Sequence, residues 1–88
     1  MHQQRIRPRK AAADVRALGA AVRETRARRG LSQEGLGLRA GLHRNYVGAL
    51  ERGEGNPTFK TLVLACAGLR VPLSELMRVY ERNIGERA

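Results

Sequence analysis

Glycine recurs in a part of this chain that otherwise reads as helix. From Ser32 to Glu54 the sequence runs SQEGLGLRAGLHRNYVGALERGE, with apolar residues at helical spacing and glycine at 35, 37, 41, 48 and 53. Each glycine in a helix interior costs about 1 kcal/mol relative to alanine. A chain of 88 residues holds one domain and one modest core, with little stability to spare. Such glycines belong where two helices come very close, or where something comes close to them.

The spacing around them resolves into short helices. Val15, Leu18 and Val22 form an amphipathic stripe over 15–29, stopped by Gly30 in the manner of a C-terminal glycine. Ser32 is a good N-cap for a second helix reaching about Arg39, with Leu36 and Ala40 inward and Gly41 closing it. A third helix spans 44–52 with Val47 and Leu50 inward. Thr58 caps a fourth over 59–69, burying Leu62, Ala65, Cys66 and Leu69. A fifth starts near Leu73 and carries Leu73, Leu76, Met77, Tyr80 and Ile84 on one stripe. No strand-like alternation and no internal repeat occurs. The expected fold class is all-α, with five short helices.

Charge narrows the partner. The chain has 17 Lys and Arg against 8 Asp and Glu, a formal net charge of +9, which points to a polyanion. Residues 1–13 hold Arg5, Arg7, Arg9 and Lys10 with no acid before Asp14, and read as a flexible basic arm. Residues 14–78 form the expected domain, and 79–88 the end of the last helix and a tail. No apolar run approaches the ~18 residues of a membrane span, and the basic N-terminus has no apolar segment behind its charges, so a cytoplasmic location is expected. The single cysteine, Cys66, lies in the apolar run TLVLACAGL and reads as a small core residue. No set of residues suits nucleophilic, acid–base or metal chemistry, so no enzyme activity, cofactor or metal is expected.

A short helix, a glycine-bearing turn at Ala40–Gly41–Leu42 and a second short helix make a helix-turn-helix. Gly37 faces the third helix where the axes cross. Gly48 falls on the outward side of the third helix, where a missing side chain would let that helix sit deep in a groove. The segments LGAAVRETRARRGLSQ, RAGLHRNYVGALERGEGNP and TLVLACAGLRVPLSEL, above all Leu50-Glu51-Arg52-Gly53 followed by Asn56-Pro57, resemble the Xre family of phage-repressor-type regulators. The resemblance runs from Leu18 to Leu76. It implies a five-helix, lambda-repressor-like domain that binds double-stranded DNA and regulates transcription, as a repressor or autoregulator, with the third helix in the major groove.

The resemblance also implies roles for residues. Arg44, Asn45, Gly48 and Ala49 fall where the family reads base edges. Arginine pairs bidentately with guanine, asparagine with adenine, and an alanine methyl meets the thymine methyl; for Arg44 the alternative is a phosphate contact alone. Ser32, Gln33, His43, Arg52, Asn56 and Thr58 fall where the family contacts the DNA backbone, Gln33 also bracing the third helix. Arg26 and Glu51 match a pair that locks the first helix to the third, against the plainer reading of two surface charges.

Five positions depart from the family pattern in ways that weaken local helix logic. Gly35, Gly37 and Gly68 stand where better helix formers are usual, Arg70 where glycine normally ends the fourth helix, and Pro72 where Ser or Thr caps the fifth. The stripe on the fifth helix exceeds what one small core uses. Met77, Tyr80 and Ile84 are therefore the expected interface of a homodimer on an inverted-repeat operator, the alternative being that Tyr80 and Ile84 fold back over the fourth helix. The rival function is a protein-interaction adaptor that keeps the fold without specific DNA binding. Arg44 and Asn45 at the front of the third helix argue against it.

Overall fold

The computed structural model describes residues 8–87, with side chains from 11 to 85. Five helices follow one another: α1 (Pro8–Arg28), α2 (Gln33–Ala40), α3 (Arg44–Glu51), α4 (Phe59–Leu69) and α5 (Leu73–Arg87). No strand occurs among the described residues, in agreement with the expected all-α class.

Helix α1 begins earlier than its apolar stripe suggests. Proline suits the first helical position because its φ is already helical and its missing N–H has no partner there to lose. Ala11, Ala12 and Ala13 then extend the helix at no entropic cost in side chains. The expected flexible arm therefore overlaps α1 over residues 8–13, and the rest of it, 1–7, lies outside the described residues.

Serine, histidine and threonine start the next three helices. Ser32 Oγ accepts from the Gly35 amide at 2.8 Å, His43 Nδ1 from the Asn45 amide at 3.0 Å, and Thr58 Oγ1 from the Thr61 amide at 3.1 Å. For the serine and threonine caps each such bond contributes about 1 kcal/mol. Helix α5 has a plainer start. The Pro72 carbonyl accepts from the Glu75 and Leu76 amides at 3.0 and 3.4 Å, and proline offers no side chain to cap with.

The helices enclose one core in which Val22, Leu36, Val47, Leu50, Leu69 and Leu76 are fully or almost fully buried. Cys66 is buried with them, and burial pushes its thiol pKa up, as suits a small core residue. Val79, which the stripe on the fifth helix passes over, is buried too.

Close helix crossings explain two glycines. A Cβ at Gly37 would run into the Leu42 carbonyl, so glycine here lets α2 meet the turn of Gly41–His43 and the start of α3. A Cβ at Gly68 would lie 2.9 Å from Leu36 Cδ1 and 3.0 Å from Ala40 Cβ. Its presence is thus the condition for α4 to cross α2, not a weakness of α4. Arg70 does carry strain: it ends α4 in the left-handed conformation, φ 58°. Arg29 supports that turn, its Nε donating to the Leu69 carbonyl at 3.0 Å and its Nη2 to the Arg70 carbonyl at 2.6 Å.

Candidate nucleic-acid interface

Helix α3 is held from behind by an ionic brace. Val47 and Leu50 anchor it in the core, and the Glu51 side chain at its end is 3 % exposed. Arg26 of α1 meets that carboxylate with two prongs, Nε to Oε2 at 2.5 Å and Nη2 to Oε1 at 2.9 Å. Its remaining nitrogen, Nη1, donates to the Leu31 carbonyl at 2.8 Å. The hydrogen bond to Glu51 raises the Arg26 pKa further, against the opposing effect of burial. Gln33 adds a third donor, Nε2 to Glu51 Oε1 at 3.1 Å. A paired, hydrogen-bonded carboxylate of this kind is costly to break, so it ties α1 and the start of α2 to the end of α3. The expected Arg26–Glu51 pair is present, largely buried rather than at the surface.

The front of α3 is open. His43, Arg44, Asn45 and Tyr46 are exposed and Ala49 is half-buried. Arg44 Nη1 stands 3.5 Å from Glu34 Oε1, both side chains more than 60 % exposed. Such an exposed pair contributes little, so Arg44 can leave it for another partner at small cost. His43 is exposed and uses Nδ1 to cap α3, so Nε2 takes no part in the cap. Arg52 is exposed beside Glu54, Nε to Oε2 at 2.9 Å; the hydrogen bond raises the arginine pKa and lowers that of the glutamate.

Gly48 differs from its expected setting. It is buried, not open. A Cβ there would meet Arg52 Nη1 at 3.2 Å and Gln33 Oε1 at 3.3 Å. The missing side chain makes room for the Gln33 amide on its way to Glu51. Arg44, Asn45 and Ala49 stay on the accessible side, flanked by Ser32, Gln33, His43, Arg52 and Thr58 at the ends of α2, α3 and α4. Asn56 is exposed but sits at a groove formed with Asp14 and Tyr80.

Tyr46 is a surface residue that the periodicity passes over. It precedes Val47 on the solvent side of α3, is 38 % exposed, and its hydroxyl donates to Thr61 Oγ1 at 3.4 Å. Thr61 Oγ1 in turn lies 3.1 Å from Thr58 Oγ1. A run of hydroxyls thereby links the front of α3 to the start of α4. The available signal was an aromatic residue amid polar ones, directly after Arg44-Asn45.

The last helix shares its apolar stripe with the core. Met77 and Tyr80 are half-buried and pack against the core, and Ile84 is half-buried. Helix α5 lies along α1: Asn83 Nδ2 donates to the Ala17 carbonyl at 3.3 Å, and Arg82 pairs with Glu24 at 2.5 Å. Part of the apolar stripe is thus used within the chain, while Met77 and Tyr80 also line a groove with Val15 and Leu18 of α1 and Leu62 of α4. Among the described residues there is no group of three or more His, Cys, Asp or Glu able to hold a metal ion, and no helix long and apolar enough to cross a membrane.

Comparison with known proteins places this geometry. Residues 22–76 match the family model described as Helix-turn-helix. The control protein C.SmaI of Serratia marcescens is 41 % identical over 56 residues, 64 % of this chain and 67 % of that one. An uncharacterized HTH-type transcriptional regulator of Bacillus subtilis, YgzD, is 34 % identical over 62 residues, 70 % of this chain and 94 % of its own. The crystal structure of the restriction-modification controller protein C.AhdI from Aeromonas hydrophila superposes with a TM-score of 0.71 at 39 % identity, covering 73 % of this chain and 97 % of that one.

Proposed function

Since this chain belongs to the helix-turn-helix family, of the Xre/Cro type, and is a DNA-binding transcriptional regulator, we propose that it binds an inverted-repeat operator as a homodimer and reads it with the first turns of α3. Arg44 and Asn45 contact base edges, with Ala49 against a thymine methyl. Ser32, Gln33, His43, Arg52 and Thr58 hold the phosphates on either side. Gly48 serves the same end indirectly, by admitting Gln33.

One observation carries this reading. Arg44 and Asn45 are exposed on the first turn of a helix whose far end is fixed through Glu51 by Arg26 and Gln33. An exposed recognition surface on a rigid support is what sequence reading requires, because a misplaced donor loses most of its discrimination. The finer assignment is to control of a restriction-modification system, supported by the likeness to C.SmaI and C.AhdI, a control protein and a restriction-modification controller. The chain acts on DNA in the cytoplasm without catalysing a reaction.

Selection of bound sites from random duplex DNA, followed by titration against salt, tests the reading. The expected sites are inverted repeats with half-sites about 34 Å apart, one helical turn. Log affinity should fall steeply with log salt, in proportion to the phosphates contacted. Absence of binding to every duplex at low salt would overturn it.

A further inference from the structure

Helix α1 crosses the end of α3 at close quarters and runs on beyond it. A Cβ at Gly19 would run into the carbonyls of Leu50 and Glu51, so the two helices meet there. Arg16 comes three residues before Gly19 and shares its face of α1. It rests on Gly53, the residue after the α3 cap: a Cβ at Gly53, φ 77°, would lie 2.5 Å from Arg16 Cγ and 2.7 Å from its Cα. The stem of Arg16 is thus packed on the loop 53–57. Arg52 and Thr58 bound that loop, and both are proposed above to hold phosphates.

The fold leaves the head of Arg16 unused. The residue is exposed, and among the described residues no carboxylate pairs with it. The acids on either side of Gly53 have other partners, Glu51 in Arg26 and Gln33, Glu54 in Arg52. Arginine often lays its methylenes on a neighbour and keeps its guanidinium in water. Here that packing also fixes where the charge stands. It lies beside the loop that joins two phosphate-holding residues, on a helix tied to α3 through Arg26 and Glu51. An unpaired guanidinium so placed suits a phosphate oxygen.

We propose that Arg16 is a further phosphate contact, gripping the DNA backbone beyond Arg52 and widening the footprint at the flank of each half-site. The inference rests on the DNA-binding part of the proposed function and deepens it. Position 16 lies before residues 22–76, which match the family, so the contact belongs to the part of α1 outside that match. A phosphate contact positions the protein and carries no base information. Arg16 therefore strengthens binding to every sequence alike, while Arg44 and Asn45 choose among them.

Fluorescence-anisotropy titration of the full chain tests this, using the best duplex from the selection above and a scrambled duplex over a series of salt concentrations. The variants are Arg16→Met, Arg16→Lys and Arg70→Met. Arg16→Met keeps an apolar stem on Gly53 and removes the charge, so its Tm should equal that of the wild type. Its affinity should fall about tenfold, as for one lost charge-assisted hydrogen bond, and by the same factor on both duplexes. Its slope of log affinity against log salt should be shallower by about 0.9 for each phosphate lost. Arg16→Lys keeps the charge and should keep the wild-type slope. Arg70→Met removes an equal charge at the opposite end of α4 from Thr58, about 18 Å along the helix, and should bind like the wild type. Wild-type affinity and slope in Arg16→Met, a loss confined to the selected duplex, an Arg16→Lys slope as shallow as that of Arg16→Met, or an equal loss in Arg70→Met would each overturn this contact alone. A wild type that binds no duplex at low salt would overturn the proposed function and this contact together.

Discussion

The side chain of Gln33 crosses α3 over Gly48 to reach Glu51, with its Nε2 3.1 Å from the carboxylate and its Oε1 3.3 Å from where a Cβ on Gly48 would stand. A helix former at 48 would gain local stability yet push the amide aside. The glycine is thus kept for the neighbour it admits, at the point where the start of α2 is joined to the end of α3.

Gly48→Ala should therefore separate stability from binding. Alanine gains up to about 1 kcal/mol of helix propensity, and the groups it meets are the mobile ends of Gln33 and Arg52. Unfolding free energy should be unchanged or slightly raised. Affinity for DNA should fall by about 1 kcal/mol, the worth of one displaced hydrogen bond, and by the same amount at every site. Calorimetric melting and a fluorescence-anisotropy titration measure the two quantities; equal affinity for the variant would show that the Gln33 position does not matter to binding.

Arg26→Ala should act on the fold itself. It leaves Glu51 buried with the Gln33 amide as its remaining side-chain donor. Removing one partner of a buried pair costs about 3–5 kcal/mol; Arg26 is 15 % exposed, which favours the lower end. A urea midpoint equal to that of the wild type would mean that water replaces the guanidinium without loss.

Base reading and phosphate holding give different signatures. Arg44→Ala and Asn45→Ala should each cost about 1–3 kcal/mol on the best operator and relax preference at one base pair. Gln33→Ala should weaken all sequences alike. Competition against a panel of single-base operator variants distinguishes them. Uniform weakening by Arg44→Ala would assign that residue to phosphate.

Most of the fold was legible because each helix carries local signals that agree with its packing. Ser32, Gly41 and Thr58 mark ends, and Leu36, Val47, Leu50 and Leu69 recur at helical spacing and are buried. The pairing of Arg26 with Glu51 was legible through family likeness, not through periodicity, since 25 residues separate them. What stayed hidden depends on tertiary neighbours. The reason for Gly68 lies in Leu36 and Ala40 on another helix, and the burial of Gly48 in the path of one amide. The start of α1 was hidden because three alanines have no face to recognise.

Arg70 offers the clearest route to a more stable protein. It ends α4 at φ 58°, ψ 45°, a conformation that costs a residue with a Cβ roughly 1–2 kcal/mol and glycine nothing comparable. The Arg29 guanidinium grips the Leu69 and Arg70 carbonyls, which are backbone groups and persist in the variant. Arg70→Gly loses an exposed cation at a helix C-terminus, worth about 0.3–1 kcal/mol, and gains more from relief of strain. The net expectation is a stabilisation of about 1 kcal/mol, which for a domain of this size raises Tm by about 4–8 °C. Arg29→Ala should move Tm the other way, because both carbonyls lose their charged donor. A lower Tm for Arg70→Gly, measured under the same salt conditions, would reveal that the Arg70 side chain contributes more to the fold than its backbone costs.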